Sequence, residues 1–237
     1  MLSTVAGAAR RDDAFGGQIA AIAPRRKSAE LPAAALNGIG TVARFARNAT
    51  IFSESDEAQF SYKVAQGAVR LSKVMLDGRR QIAQFLLAGD MFAIDCDGEY
   101  SLTAEALTEV TLICYPRAHI DRLSEDVPEV RRALLSSLRR ELSAAQHHLM
   151  MLGRQTAKER MASFLLLLAK RPGAEDPSRV QLPMSRQDIA DYLGLTIETV
   201  CRALNELKKL CVITLPDRHH AMVRDFAALE RIAAGGE

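Results

Sequence analysis

The chain has 237 residues, 48% of them hydrophobic and 25% charged, with no Trp and a formal net charge of +2. That length allows one large domain or two small ones around a buried core, and the composition excludes a fibrous or wholly disordered polymer. The weak positive balance falls short of a polybasic chain, and the longest apolar run, Phe164 to Ala169, is far below the roughly 20 residues that span a bilayer.

Residues 1–38 mix Ala, Gly, Pro and Arg without sustained periodicity, which predicts a flexible N-terminal segment. The segment has no uninterrupted apolar core of the kind a secretory signal needs, so a cytoplasmic location and no membrane partner are expected. Over 39–126 the texture changes to short half-apolar segments separated by Gly and Asp. VAQGAVRLSKVML and RRQIAQFLLAGDMF flank Asp77-Gly78, a pair whose two central positions can take positive φ in a tight hairpin. Further strands are expected at SLTAEAL and EVTLICY, and several short strands at this spacing predict a β-sandwich or barrel.

From Pro128 the period becomes that of a helix. Leu135, Leu138, Leu142, Ala145, Leu149 and Leu152 step by 3, 4, 3, 4 and 3, an a/d seam lasting nearly three heptads within 127–153. Two readings of the seam stand: a helix packed on its own domain, or a two-helix dimer interface.

The last part, 154–237, begins with a helix from about Ala157 to Ala169. Ser185 is a good N-cap with Asp188 three residues on, Gly194 can take the left-handed geometry of a sharp turn, and Thr196 can cap a second helix running to about Leu210. With Ala190 small enough for a close crossing, these spacings fit a helix-turn-helix. Ile197, Val200, Leu204 and Leu207 are expected to be its buried stripe, while Glu198, Cys201, Arg202 and Asn205 follow i, i+3, i+4, i+7 along another side. CVITLPDRHHAMVRDF then reads as the β-hairpin wing of a winged helix, with Arg218 at its tip either on a phosphate or in a solvated turn.

Chemistry independent of any family supports a reading role for the second helix. An Arg guanidinium can donate twice to guanine O6 and N7, and a Glu carboxylate can accept from cytosine N4, so Arg202 and Glu198 can address neighbouring base pairs in the major groove. The plainer alternative is an exposed i,i+4 ion pair. Ser185, Arg186, Thr196 and Thr199 are candidate phosphate contacts beside them.

The order of sandwich, heptad helix and winged helix-turn-helix resembles the CRP/FNR superfamily of bacterial transcription regulators over roughly residues 40 to 230. LTIETVCRAL is similar to the FNR-type recognition helix, whose Glu, two-residue spacer, Ser and Arg fall here on Glu198, Cys201 and Arg202. Cys201 stands where that pattern has Ser; with the missing cluster cysteines described below, the chain most resembles the rhizobial FixK-like branch. The resemblance implies an α+β chain: an N-terminal jelly-roll sandwich like those that bind cyclic nucleotides, a long dimerisation helix and a C-terminal winged helix-turn-helix. It further implies a homodimer on double-stranded DNA with a near-palindromic promoter site of TTGA type. RNA polymerase is then a second partner, with the exposed hairpin around Asp77 to Arg80 one candidate contact, and activation of low-oxygen respiration or nitrogen-fixation genes is the implied output.

No cofactor or metal is expected. Members of the superfamily often bind a cyclic nucleotide, yet between Arg80 and Arg117 there is no Lys or Arg to clamp a phosphate, only acidic residues such as Asp90, Glu99 and Glu105. The resemblance also raises an iron-sulfur cluster with N-terminal cysteines and a ligand at the position of Cys114. No cysteine precedes Cys96, so four local thiolates cannot be assembled. His147 and His148 fall off the seam and are expected to be solvated. Control is then left to abundance or to covalent chemistry, which brings Cys201 forward. It is either a small Ser-like residue chosen for fit or a redox switch, because a thiol in the first turns of a helix beside an Arg is placed for reactivity.

No Cys-His pair, Gly-rich phosphate loop or nucleophile elbow supports an enzyme. The alternative from another class is a ligand-binding module that regulates a protein partner.

Overall fold

The computed structural model describes residues 38–94, 98–171 and 176–236. The N-terminal segment through residue 37, Cys96, and part of the loop after Lys170 lie outside the described residues.

Two four-stranded antiparallel sheets form the first half. One has the order β1 (Thr41–Phe45), β8 (Val110–Pro116), β3 (Phe60–Gln66), β6 (Met91–Phe92); the other runs β2 (Thr50–Phe52), β7 (Thr103–Ala106), β4 (Ala68–Val74), β5 (Arg80–Leu87). Side chains alternate faces along a strand, so Val110, Leu112 and Cys114 of β8 turn inward while Thr111 and Ile113 stay half-buried. Val64, opposite Leu112, meets Val69, Leu86 and Ala104 in the core between the sheets. Gly67 joins β3 to β4 at φ +92°, where a Cβ would sit 2.3 Å from the Glu109 carbonyl oxygen; only Gly fits there.

The Asp77-Gly78 turn differs from the expected tight hairpin. Gly78 alone takes positive φ, at 82°, and the loop spans the residues between paired Val74 and Arg80. Met75 N–H closes it on the Arg79 carbonyl at 2.8 Å, and the Asp77 carboxylate accepts from Arg79 N–H at 3.0 Å. A side-chain acceptor thus does what a second positive-φ residue does in the shorter turn.

Helix α1 (Arg117–Asp126) leads from the roll, Val127 breaks the path in extended conformation, and α2 (Pro128–Arg154) starts with Pro in its first turn, where the missing N–H costs nothing. Ile120, Val130 and Ala133 anchor these helices on Tyr115. From Leu134 to Met150 no residue of α2 is fully buried within the chain.

The C-terminal half is built around α3 (Ala157–Ala169), capped by a Thr156–Glu159 capping box and, from Met161 on, buried around most of its girth, as a central helix must be. Around it lie α4 (Arg186–Leu193), α5 (Ile197–Lys209) and α6 (Phe226–Ala233). A three-stranded sheet of order β10 (Ile213–Thr214), β11 (His220–Val223), β9 (Arg179–Gln181) completes the unit. The wing therefore has a third strand beyond the expected hairpin.

One hydrophobic cluster runs without a break from this half into the roll, taking in Ala68, Ile82, Phe85 and Leu107. The Phe85 ring stands 5.2 Å from that of Tyr192 and 6.0 Å from that of Phe164. Burying side chains of this size contributes roughly 1.5 to 3 kcal/mol each.

Candidate nucleic-acid interface

The helix-turn-helix is built from local chemistry. The Ser185 hydroxyl accepts from Asp188 N–H at 3.0 Å, and Asp188 reaches back to Ser185 N–H at 2.9 Å, closing a capping box at the start of α4. Gly194 ends α4 in the left-handed region (φ 62°, ψ 42°), and Leu195 N–H returns to the Ala190 carbonyl at 3.0 Å. Thr196 then caps α5 by accepting from Thr199 N–H at 3.3 Å. Ala190 is fully buried at the crossing, and Val200, Ala203, Leu204 and Leu207 form the inner face of α5.

Ile197 departs from the expected buried stripe: it is 37% exposed. It occupies the first position of α5, ahead of the turn at Val200 where the helix meets its core, so its side chain projects beside Glu198 at the leading end.

Glu198, Cys201, Arg202 and Asn205 are all exposed on one side of α5. Hydrogen bonding from the Thr196 hydroxyl and from its own backbone N–H, with the Arg202 charge behind them, holds the Glu198 carboxyl below the usual Glu range. Arg202 Nη2 donates to Thr199 Oγ1 at 3.2 Å rather than closing an ion pair on Glu198. Both side chains are exposed, each held by local hydrogen bonds rather than by the other.

Ser185 is exposed at the N-terminus of α4 and Thr196 at that of α5, where the first-turn N–H groups that the caps do not take favour an anion. Arg186 is half-buried, and its Nη1 is buried without a hydrogen-bond partner. Burial draws its pKa below the ordinary Arg value, against a smaller opposing pull from the Cys201 thiol. Arg218 is exposed at the wing tip, beside Asp217, which pairs with His220 Nδ1 at 2.8 Å.

On α2, Leu135, Leu142 and Leu149 are 48%, 61% and 69% exposed; Ala145 is exposed, and Leu138 and Leu152 are half-buried. Large exposed apolar side chains at heptad spacing mark a face that lacks its cover within one chain.

His147 is exposed as expected, but His148 is not solvated. Its ring stacks on Tyr192 with centroids 4.1 Å apart, and its Nε2 lies 2.9 Å from the Tyr192 carbonyl oxygen. Burial lowers its pKa, partly offset by that hydrogen bond. Nearby Arg160 donates to the carbonyls of Gln155, Leu152 and Leu193 at 2.9, 2.8 and 2.8 Å, closing the C-terminal ends of α2 and α4 together. Neither role was legible in the sequence, since both partners lie on other elements.

A cyclic nucleotide does not fit the residues present. The interior of the roll is occupied by Phe52, Tyr62, Phe92 and Tyr100, with Phe52 and Tyr100 stacked at 3.7 Å and the Tyr100 hydroxyl donating to the Phe60 carbonyl at 2.9 Å. The segment between β5 and β8 carries no cation for a phosphate. Buried Cys114 has its thiol pKa pushed up by desolvation, as for a residue in a core. Among the described residues no cluster of His, Cys, Asp or Glu forms a metal site.

A β-roll joined by a long helix to a winged helix-turn-helix with outward Glu and Arg defines a DNA-binding transcription regulator of the CRP/FNR superfamily. Residues 159–232 match the Crp-like helix-turn-helix domain, and residues 42–126 match the cyclic nucleotide-binding domain. The chain is 45% identical to the nitrogen fixation regulation protein FixK of Azorhizobium caulinodans over 85% of this chain and 82% of that protein. It is 41% identical to the protein of the same name in Bradyrhizobium diazoefficiens, over 83% of each. Among solved structures, FixK2 from Bradyrhizobium japonicum superposes with a TM-score of 0.78 at 35% identity, covering 82% of this chain and 97% of that one. The chain belongs to the FixK family within this superfamily.

Proposed function

We propose that the protein binds, as a homodimer, a near-palindromic DNA site with TTGA-type half-sites and activates genes for low-oxygen respiration or nitrogen fixation, acting in the cytoplasm. The observation that carries this reading is the outward pair Glu198 and Arg202 on a capped helix whose other face is buried. Ser185, Arg186, Thr196, Thr199 and Arg218 serve as phosphate contacts around that pair. The exposed seam of Leu135, Leu142 and Leu149, with Leu138, Ala145 and Leu152 alongside, supports a second copy on α2. Two such units would set their reading helices about one DNA turn apart. The names of the FixK relatives support the nitrogen-fixation output.

The β4–β5 hairpin around Asp77 to Arg80 is proposed as the RNA polymerase contact, supported by Val74, Met75 and Leu76, all exposed at its tip. Cys201, exposed between the two readers, is proposed as a redox switch. Each hydrogen peroxide delivers one oxygen atom to the thiolate sulfur and leaves as water, the sulfur losing two electrons, so two steps give a sulfinate. That fixed negative charge would face DNA phosphates.

A gel shift with a TTGA palindrome tests the reading: Arg202→Ala should abolish the specific band, and unchanged affinity would remove Arg202 from the readers. Cys201→Ser should keep binding while escaping peroxide; undiminished inactivation of that variant would overturn the switch.

A further inference from the structure

Asp188 is the third residue of α4, yet its side chain joins two domains. Its Oδ2 accepts from Ser185 N–H at 2.9 Å and from the Ser185 hydroxyl at 2.6 Å. Its Oδ1 accepts from Arg70 Nη1 on β4 at 2.8 Å and from Arg80 Nη2 on β5 at 2.7 Å. One oxygen therefore serves the N-cap of the helix-turn-helix, and the other is held by the roll. The carboxylate side chain is 5% exposed, against 13% for Arg70 and 25% for Arg80. The two arginines also reach outward, Arg70 Nε to Glu105 at 3.0 Å and Arg80 Nε to Asp191 at 2.8 Å.

We propose that Asp188 is a positioning residue for DNA binding, and that Arg70 and Arg80 of the β-roll hold and neutralise it so that the Ser185 end of α4 accepts a phosphate. A buried carboxylate beside an anion-binding helix end opposes the very ligand that end attracts. Two guanidiniums bonded to one Asp188 oxygen relieve that opposition at Asp188 itself, although they are shared with Asp191 and Glu105 and the five charges together sum to one negative. They also tie α4 to a rigid sheet, so the phosphate contact is pre-set without a small effector. The cluster is thus the route by which the roll acts on DNA affinity. The inference rests on the DNA-binding reading above, specifically on the Ser185 end of α4 meeting the backbone.

The test compares four forms of the full chain on a fluorescent TTGA palindrome by anisotropy: wild type, R70Q/R80Q, R70Q/R80Q/D188N, and R202A as a control. R70Q/R80Q should bind roughly 10- to 100-fold more weakly, the range expected for losing coupled charged partners. The triple variant should recover most of that loss, because Asn keeps an oxygen for Ser185 while the charge is gone. A tie that acts only through the interdomain bonds predicts no recovery, since the triple variant restores none of them; thermal unfolding of all four forms is followed in parallel, because D188N also removes a buried unpaired charge, and affinity must recover at a temperature where every form is fully folded. Wild-type affinity in R70Q/R80Q, or a triple variant no tighter than the double, overturns the proposal. If circular dichroism shows the double variant unfolded, R80Q against R80Q/D188N makes the same comparison at the more exposed arginine. Failure of the wild type to bind, or an R202A variant that binds as well, would overturn the DNA reading itself, and the clamp with it.

Discussion

His148 lies flat on Tyr192, ring planes 16° apart, and its Nε2 donates to the carbonyl of that same residue at 2.9 Å. The seam helix and the first helix of the DNA-binding motif are thereby joined by one side chain. A carbonyl only accepts, so Nε2 carries the hydrogen.

The stack carries a pH dependence whose sign follows from burial. The folded pKa of His148 lies below the ordinary value of 6.5. As pH falls below that value the unfolded chain gains a proton that the fold refuses, so stability declines through the window down to the folded pKa and is unaffected above it. His148→Phe keeps a ring on Tyr192 without the titration. In urea denaturation its stability relative to wild type should improve as pH falls from about 7.5 to 5.5, and a constant difference would refute the linkage.

Arg160 gathers three carbonyls at the ends of two helices. Arg160→Ala should lower unfolding stability by about 2 to 4 kcal/mol, because charged donors to otherwise orphaned acceptors are lost. Arg160→Lys should recover only part, since an ammonium lacks the planar fork. Chemical denaturation of both variants decides it.

Ile197 presents an exposed apolar side chain beside Glu198, the arrangement that meets a thymine methyl in the major groove. Replacing half-site thymines by uracil, which lacks that methyl, should weaken wild-type binding by about 1 kcal/mol, roughly fivefold. Ile197→Ala should be nearly indifferent to the exchange. Equal sensitivity in both proteins would exclude the contact.

Leu142 and Leu149 carry the most exposed part of the seam. Leu142→Arg with Leu149→Arg should give a monomer by light scattering and lower affinity for the full palindrome by roughly a hundredfold. Affinity for a half-site should change little. A variant that remains dimeric would move the interface elsewhere.

The reading unit was legible because its signals are local: Ser185 to Asp188, Gly194, and Thr196 each act within a few residues, and cap chemistry does not depend on what packs nearby. Ile197 was misplaced because helical periodicity assigns a face without saying how far the core extends along it. His148 was misjudged for the complementary reason: a position off the heptad seam of α2 met Tyr192 of α4, 44 residues on. The Arg70–Asp188 contact bridges 118 residues, beyond any motif. In the Asp77-Gly78 loop the dipeptide marked the reversal correctly, while the side-chain bond from Asp77 to Arg79 set its length.

The unbroken apolar cluster from Ile82 and Phe85 into Phe164, Tyr192 and Leu193 has a bearing on how such chains diversify. A roll transplanted from a relative would arrive with its own side chains at this seam, and mismatched volumes there cost stability as they do inside any core. The roll and the helix-turn-helix in this architecture are therefore obliged to change together, residue against residue, rather than be exchanged as independent cassettes.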